Sequence, residues 1–504
     1  MDDWPSLAWV WHRSRKPKSR PTLIHGGGVW VGKYGFCEAV WDGPFDAFDF
    51  DRTDLVFGSG GRIRVDADGS TRWIFVGSGS TVDRLHHFRP DSGDLWVSNS
   101  IVALMAMIEA RPKLTGWNPF AFFETIAEGL DRYERRVPID QGEIKITYHD
   151  NLVVQNDAIE SVAKPKPSRT LDCFADYDDF ARQTMSAIGR NAAGRSSPIV
   201  PLASLSSGYD STTAATIGRE AGLTDAWTLA TGRGDASEST ATIASALGLN
   251  LYTSDRTESL SDAAGLALFL SGDAKGEDAY FSGADQLGLL SGRFLISGYS
   301  GSRVWDTDER PYPHLRRGDT SGLSHVEARL HLGYQHVPVP YFAGFQETDI
   351  RRIGRDREMD RWRVGGDYDR PLCRRIAESA GVPRDAFGTR KKAASVLWFD
   401  RQNALPESFE QSYRAFLKQY GITIGQPHLR GIRTLMRTIA RTPMIRLPVL
   451  RRIADEGRIH RFAYHNPAFD HLYGFVVDRV VRRYARPAAL TNPSTQIETP
   501  QVRH

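Results

Sequence analysis

The chain has 504 residues, 40% of them hydrophobic and 25% charged, which at about 100–200 residues per domain implies roughly two to four domains with ample core. It carries no charged-then-apolar leader pattern and no apolar run of about 18 residues, so a cytoplasmic protein without membrane spans is expected. Three cysteines, Cys37, Cys173 and Cys373, stand far apart with no CxxC, which argues against a disulfide framework and a cysteine zinc site. The formal net charge of +3 is unevenly spread: residues 401–504 hold 17 Lys and Arg against 7 Asp and Glu, leaving 47 against 54 in the first 400. That basic end either faces something anionic or solvates the outer faces of helices.

Residues 1–160 read mostly as strands. "GRIRVDADGSTRWIFVG" (61–77) alternates around an Asp-Gly turn and predicts a hairpin; "DLWVSNSIVALMAMIEA" (94–110) predicts a strand running into a helix; "GEIKITYHDNLVV" (142–154) predicts another hairpin. "DADGS" is not a calcium loop, because Thr71 and Gly77 stand where the loop glycine and bidentate glutamate are required. The Pro- and Lys-rich stretch 160–170 reads as a linker.

Strands and helices then alternate: helix 177–190, strand 199–205, helix 212–221, strand 225–231, helix 237–247, strand 249–253, helix 259–270 and strand 293–298. That rhythm predicts a parallel sheet with crossover helices. From about 340 the chain turns helical, and 486–504 has too little apolar content to fold.

"SLSSGYDSTTAA" (204–215) joins a predicted strand to a helix start. In open parallel sheets ligands bind beyond the C-terminal ends of the strands. Gly208 allows close backbone approach, Ser206, Ser207 and Ser211 offer hydroxyls, and the helix N-terminus offers free N–H groups to a phosphate. Asp210 beside a polyphosphate makes sense where Mg2+ bridges them; the alternative is that Asp210 or Ser211 simply caps the helix.

"SSGYDS" resembles the S-G-G-x-D-S pyrophosphate loop of ATP pyrophosphatases, with Ser207 in place of the first glycine. The run "PLASLSSGYDSTTAATIGREAG" is similar to the asparagine synthetase group, which includes β-lactam synthetases and lasso-peptide cyclases, and "FLISGYSGSRVWD" (294–306) resembles that group's S-G-E-G-x-D-E segment. The resemblance implies an α/β fold with a parallel-sheet ATP-pyrophosphatase domain, and ATP contacts from Ser206, Ser207, Gly208, Tyr209, Asp210, Ser211 and Gly298. It implies Mg2+ on Asp210. Where the group has an Asp-Glu pair, this chain has Ser302-Arg303, so Arg303 is expected to neutralise phosphate itself, with Asp306 or Asp308 as further metal partners. "RDREMDRWRVGGDYDRPLCRRIAESAGVPRDAFGTRKKAA" (355–394) is similar to the C-terminal part of such synthetase domains. There the resemblance implies a base near the amine at Glu358 and a pyrophosphate grip at Lys391 or Lys392. The alternatives are a surface charge beside Arg357 and Arg361 for Glu358, and a solvated helix end for the lysines.

Glutamine-using members carry a cysteine directly after the initiator methionine, whereas this chain begins "MDDWPS". Through "HHFRPDSGDLWVSNSIVALMAMI" (86–108) the first part resembles the group's amidotransferase-type domain, so the resemblance implies 1–165 as a β-rich, degenerate amidotransferase-like domain without glutaminase activity, 171–400 as the synthetase domain, 401–485 as a helical basic extension and 486–504 as a disordered tail. The expected activity is AMP-forming ligation of a small-molecule carboxylate to an amine or to ammonia from a separate source. The alternatives are a sulfur transferase acting on tRNA and a non-catalytic nucleotide-binding member. Nucleic acid is not expected as a partner, because aromatic residues do not interleave with the cations. The basic helices 428–454 and 469–485 either pack on the domain or lie on an anionic membrane surface.

Overall fold

The computed structural model describes residues 4–16, 19–230, 237–254, 270, 281–307, 313–317, 320, 322–323, 325–366, 368–388, 407–423, 471–484 and 495–496. Its first part runs through β1 (Trp9–Arg13), β2 (Thr22–His25), β3 (Trp30–Gly32), β4 (Gly35–Cys37), β5 (Val40–Trp41), β6 (Val56–Phe57) and β7 (Gly60–Val65). It continues through β8 (Thr71–Val76), β9 (Arg84–Phe88), β10 (Leu95–Ser98), helices α1 (Ile101–Met107) and α2 (Pro119–Glu124), then β11 (Arg136–Ile139), β12 (Gly142–Tyr148), β13 (Asn151–Gln155) and β14 (Ala158–Val162).

Two antiparallel sheets, β14-β13-β8-β7-β4-β3 and one that includes β11-β12-β9-β10-β1-β2, share an aromatic core. The period of two in β1 decides which side chain goes where. Trp9 and Trp11 enter that core with Phe36, Trp73 and Phe75, whereas Val10 on the opposite face joins the core under α1. Trp9 meets Phe36 edge-on at 4.9 Å and Trp11 meets Phe75 at 5.0 Å, contacts worth about 0.5–1.5 kcal/mol each beyond area burial.

The 61–77 hairpin forms as β7 and β8, and 94–110 forms as β10 leading into α1, whose N-cap Ser100 accepts from the Ala103 amide. The predicted 142–154 hairpin is a correction. β12 pairs with β9 and β11 in one sheet, and β13 pairs with β8 and β14 in the other. His149, at φ 63°, turns the chain between the sheets. The true hairpin is β13–β14, whose two-residue turn Asn156-Asp157 has both φ positive, as such a turn requires. Nor is 160–170 a free linker: Lys164 is buried on the Gly77 carbonyl (2.6 Å) and Asn151 (2.8 Å), and Arg169 grips Asp54.

The second part opens with α3 (Phe174–Ala193). Then follow β15 (Val200–Ser204), α4 (Tyr209–Gly218), β16 (Asp225–Leu229), α5 (Ser237–Leu247), β17 (Asn250–Ser254), α6 (Ser282–Gln286), β18 (Arg293–Ser297), α7 (Gly301–Val304), α8 (His325–Leu332) and β19 (Tyr334–Pro338). The five strands form one sheet, ordered β17-β16-β15-β18-β19 and parallel throughout. The protein is thus α/β, with a parallel five-stranded sheet beside antiparallel sheets.

Both faces of that sheet are covered, so its strands are apolar on both sides. Ala203, Phe294, Ile296 and Val337 pack toward α3 and α4, while Leu202, Trp227, Leu295 and Tyr334 pack toward α6. The chain moves from β15 outward through β16 to β17, then returns to add β18 and β19 on the other flank. The strand order therefore reverses between β15 and β18.

Helices α9 (Glu347–Arg355) and α10 (Pro371–Ser379) continue this unit, with a 3-10 turn, Arg357–Trp362, between them. The last elements are α11 (Glu407–Gln419), α12 (Leu472–Tyr484) and the two-residue β20 (Thr495–Gln496). Helices α11 and α12 bury Tyr413, Phe416, Leu472, Phe475 and Val476 in the core under α1, while 424–470, with the basic stretch 428–454, lies outside the described residues. β20 pairs with β2 at the sheet edge, and the rest of 486–504 lies outside the described residues. Among the described residues, no helix is long and apolar enough to cross a membrane.

Candidate functional site

Position comes first. In an open parallel sheet the crevice lies outside the C-terminal strand ends where strand order reverses, here beyond Ser204 of β15 and Ser297 of β18. The 205–208 turn and the 298–301 turn meet there. A Cβ on Gly298 would lie 2.7 Å from Cβ of Asp210, and one on Gly301 would lie 2.5 Å from its Cγ. Glycine at both positions lets the second turn press against the first turn of α4.

The serine turn is closed by its own hydroxyls. Ser206 and Ser211 share an Oγ–Oγ hydrogen bond of 2.8 Å, the Ser211 hydroxyl receives the Ser206 amide at 3.1 Å, and the Ser206 hydroxyl receives that of Gly208 at 3.2 Å. Thr212 donates its hydroxyl to the Gly208 carbonyl at 2.9 Å. Gly208 occupies the N-cap of α4 and makes no side-chain cap, so the first-turn amides of Tyr209, Asp210 and Ser211 keep the unsatisfied character of any helix start. Ser211 thus shapes the loop.

Tyr209 is core, with its ring 4.8 Å from Tyr368 and 5.2 Å from Phe387, and its hydroxyl accepts from Arg374 Nε at 3.1 Å. Burial pushes the Tyr368 phenol up to about 12, with the Asp210 carboxylate adding to it.

Asp210 does not face solvent alone. Its Oδ1 accepts from Nη1 of Arg370, whose side chain is 3% exposed, and Nη2 of Arg370 lies 3.9 Å from Asp306. Burial works against the Arg370 charge, but the Asp210 carboxylate outweighs it and holds the guanidinium firmly protonated. Arg370 stands directly before Pro371, the first residue of α10, and its guanidinium lies over the Tyr368 ring. Sequence reasoning missed it. One arginine among Arg355, Arg357, Arg361, Arg363, Arg374 and Arg375 carries no distinguishing signal until α10 packs on α4.

The other predicted residues fall in different places. Arg303 is buried in an ion pair with Glu347 of α9, and its carbonyl accepts from Arg351 at 2.9 Å. Glu358 accepts from the Phe174 amide at the start of α3 (3.2 Å) and from Arg375 (2.8 Å), so those contacts tie α3 to α10. Lys391, Lys392 and Asp308 lie outside the described residues. Nevertheless the chain is brought to the loop just before the lysines: the Gly388 amide donates to the Ser207 carbonyl at 2.9 Å.

The first part of the chain reaches the same place. The Thr81 hydroxyl bonds the Tyr341 hydroxyl at 2.6 Å, and Ser300 of the 298–301 turn donates to that same Tyr341 at 3.3 Å.

A magnesium ion needs carboxylate oxygens free to turn toward it. Here Asp210 is held by a guanidinium that also lies near Asp306, so both described carboxylates already have a cation beside them. Asp210, paired in this way, does not suit that ion, while Asp308 lies outside the described residues. An unpaired Asp210 would oppose a bound phosphate by about 4 kcal/mol at 4 Å and an effective permittivity of about 20; Arg370 cancels that charge.

Compared with known protein families, the chain matches no family model, and no curated protein matches it either.

Proposed function

We propose that the chain is an ATP-dependent, AMP-forming carbon–nitrogen ligase of the ATP-pyrophosphatase type, joining a small carboxylic acid to an amine. The observation that carries the reading is the Ser206–Ser211 turn at the reversal of strand order, with Gly298 and Gly301 packed against Asp210. Backbone amides and a helix start placed there suit the β and γ phosphates of ATP. Breaking the bond between the α and β phosphates builds charge on the departing pyrophosphate, which fixed donors stabilise without reorganising. Gly388, three residues before Lys391, bonds the Ser207 carbonyl, which is in keeping with a lysine grip on that leaving group.

The amine enters as a separate substrate or as ammonia. The space between the two antiparallel sheets is filled by Trp9, Trp11, Phe36, Trp73 and Phe75. Cys37 is fully buried, and burial pushes its thiol up to about 12, which suppresses the thiolate that glutamine cleavage needs. Burial also raises the Cys373 thiol, which counts against that cysteine as a sulfur carrier.

The test is exchange of labelled pyrophosphate into ATP in the presence of a panel of carboxylic acids. Acid-dependent exchange, with AMP released on adding an amine, supports the ligase. Release of ADP and phosphate, or a thiolated tRNA product, overturns it.

A further inference from the structure

We propose that Arg370 is the resident cation of the phosphate site, replacing a divalent metal there, and that Asp210 acts to hold this arginine. The inference rests on the reading of the Ser206–Ser211 turn as a phosphate cradle and concerns how that cradle is charged. The ligand class is a pyrophosphate or nucleoside triphosphate bound without metal.

Three observations converge. The guanidinium lies between Asp210 and Asp306, where a bridging metal would be needed. It is nine-tenths buried and over-supplied with donors: Nε is shut off from solvent with no hydrogen-bond partner, and a guanidinium has five N–H groups to give. Its place is fixed by Pro371 behind it and the Tyr368 ring beside it, so little freedom is lost when an anion arrives. Asp210 and Arg370 together form a neutral pair at the helix start. The remaining carboxylate, Asp306, has a side chain 40% exposed and is screened by solvent.

The substitutions separate the two roles that Asp210 can play. With the arginine in place, the loop is neutral and accepts phosphate directly. Without it, a bare carboxylate faces the phosphate and a metal becomes necessary. Arg370→Ala therefore turns metal-independent binding into magnesium-dependent binding, and Asp210→Asn in the same chain removes the need again.

The experiment is calorimetric titration of the full chain with inorganic pyrophosphate and with ATP, in EDTA and in Mg2+. The wild type is expected to bind within threefold equally in both. Arg370→Ala is expected to weaken at least tenfold in EDTA and recover in Mg2+, and Arg370→Ala/Asp210→Asn to recover in EDTA. Thermal melting identifies any variant that does not fold; if Arg370→Ala fails, Arg370→Gln decides in its place, since a tenfold loss in EDTA that Mg2+ restores supports the proposal and unchanged binding in EDTA overturns it. Binding by the wild type only in Mg2+ overturns the proposal and leaves the phosphate cradle standing. Absence of binding by folded protein in either buffer overturns both.

Discussion

Arg329 of α8 donates to both carboxylate oxygens of Glu38, at 2.9 and 3.0 Å, across the boundary between the parallel-sheet unit and the antiparallel sheets. Its Nε reaches Asp83, and all three side chains are buried. One cation thus bridges two carboxylates from the first part of the chain, while Ser59 and Asn99 donate to the same Glu38. Burial raises the Asp83 carboxyl, and Arg329 opposes that shift.

Arg329→Met is expected to destabilise the protein by about 3–5 kcal/mol, because it strands two buried acids. Urea unfolding at neutral pH checks this. A loss below about 1 kcal/mol would mean that the two units hold together without the ion triad.

His325 of the same helix gives a pH dependence. Burial pushes its imidazole down to about 3, with Arg329 adding to the shift. The unfolded chain binds a proton below about pH 6.5 that the folded chain refuses until about pH 3. Stability is therefore full above pH 6.5 and falls as pH drops toward 3, by about 1.4 kcal/mol per pH unit for this group. His336, lowered by burial in the same way, adds to the slope. His325→Phe should flatten the fall in urea midpoint between pH 7 and 5.

Two glycines of the site are expected to behave oppositely. Gly298→Ala drives a methyl group into the backbone of Asp210, which cannot give way, and should cost about 1–3 kcal/mol together with phosphate binding. Gly208→Ala meets nothing nearer than the Ser206 hydroxyl at 3.3 Å and keeps an ordinary negative φ, so its melting temperature should stay close to that of the wild type. Equal losses in the two variants would contradict the packing described.

Phe475 of α12 is 4% exposed and touches Phe409, Tyr413 and Phe416 ring to ring at 5.3–5.4 Å. Phe475→Ala should destabilise by about 3–5 kcal/mol. The change should appear in the fluorescence of Trp117, which packs against Tyr473 of the same helix.

Local pattern was legible where one face decides everything. Ser237–Leu247 is helical over the span predicted, and β15, β16 and β18 fall within two residues of theirs. β19 escaped because "YQHVP" hides a buried strand behind Gln335, His336 and Pro338; in the folded protein His336 bonds Ser297 at 2.7 Å, and Gln335 donates to the Glu38 carbonyl. The serine turn could be read from composition and resemblance. The cation beside it could not, since Arg370 and Asp210 are 160 positions apart and only the packing of α10 on α4 joins them. For Glu358, too, the sequence does not show its partners, which are the start of α3 and Arg375.

The docking of α12 on α1 has a consequence for synthesis. Ile101–Ala106 are buried partly by side chains encoded some 370 codons later, so while the nascent chain emerges, an oily helix face waits without its cover. The amino-terminal sheets can assemble early, yet their outer layer closes only after residue 484 has left the ribosome. Truncation near residue 470 would then release a protein whose defect lies at the opposite end from the cut.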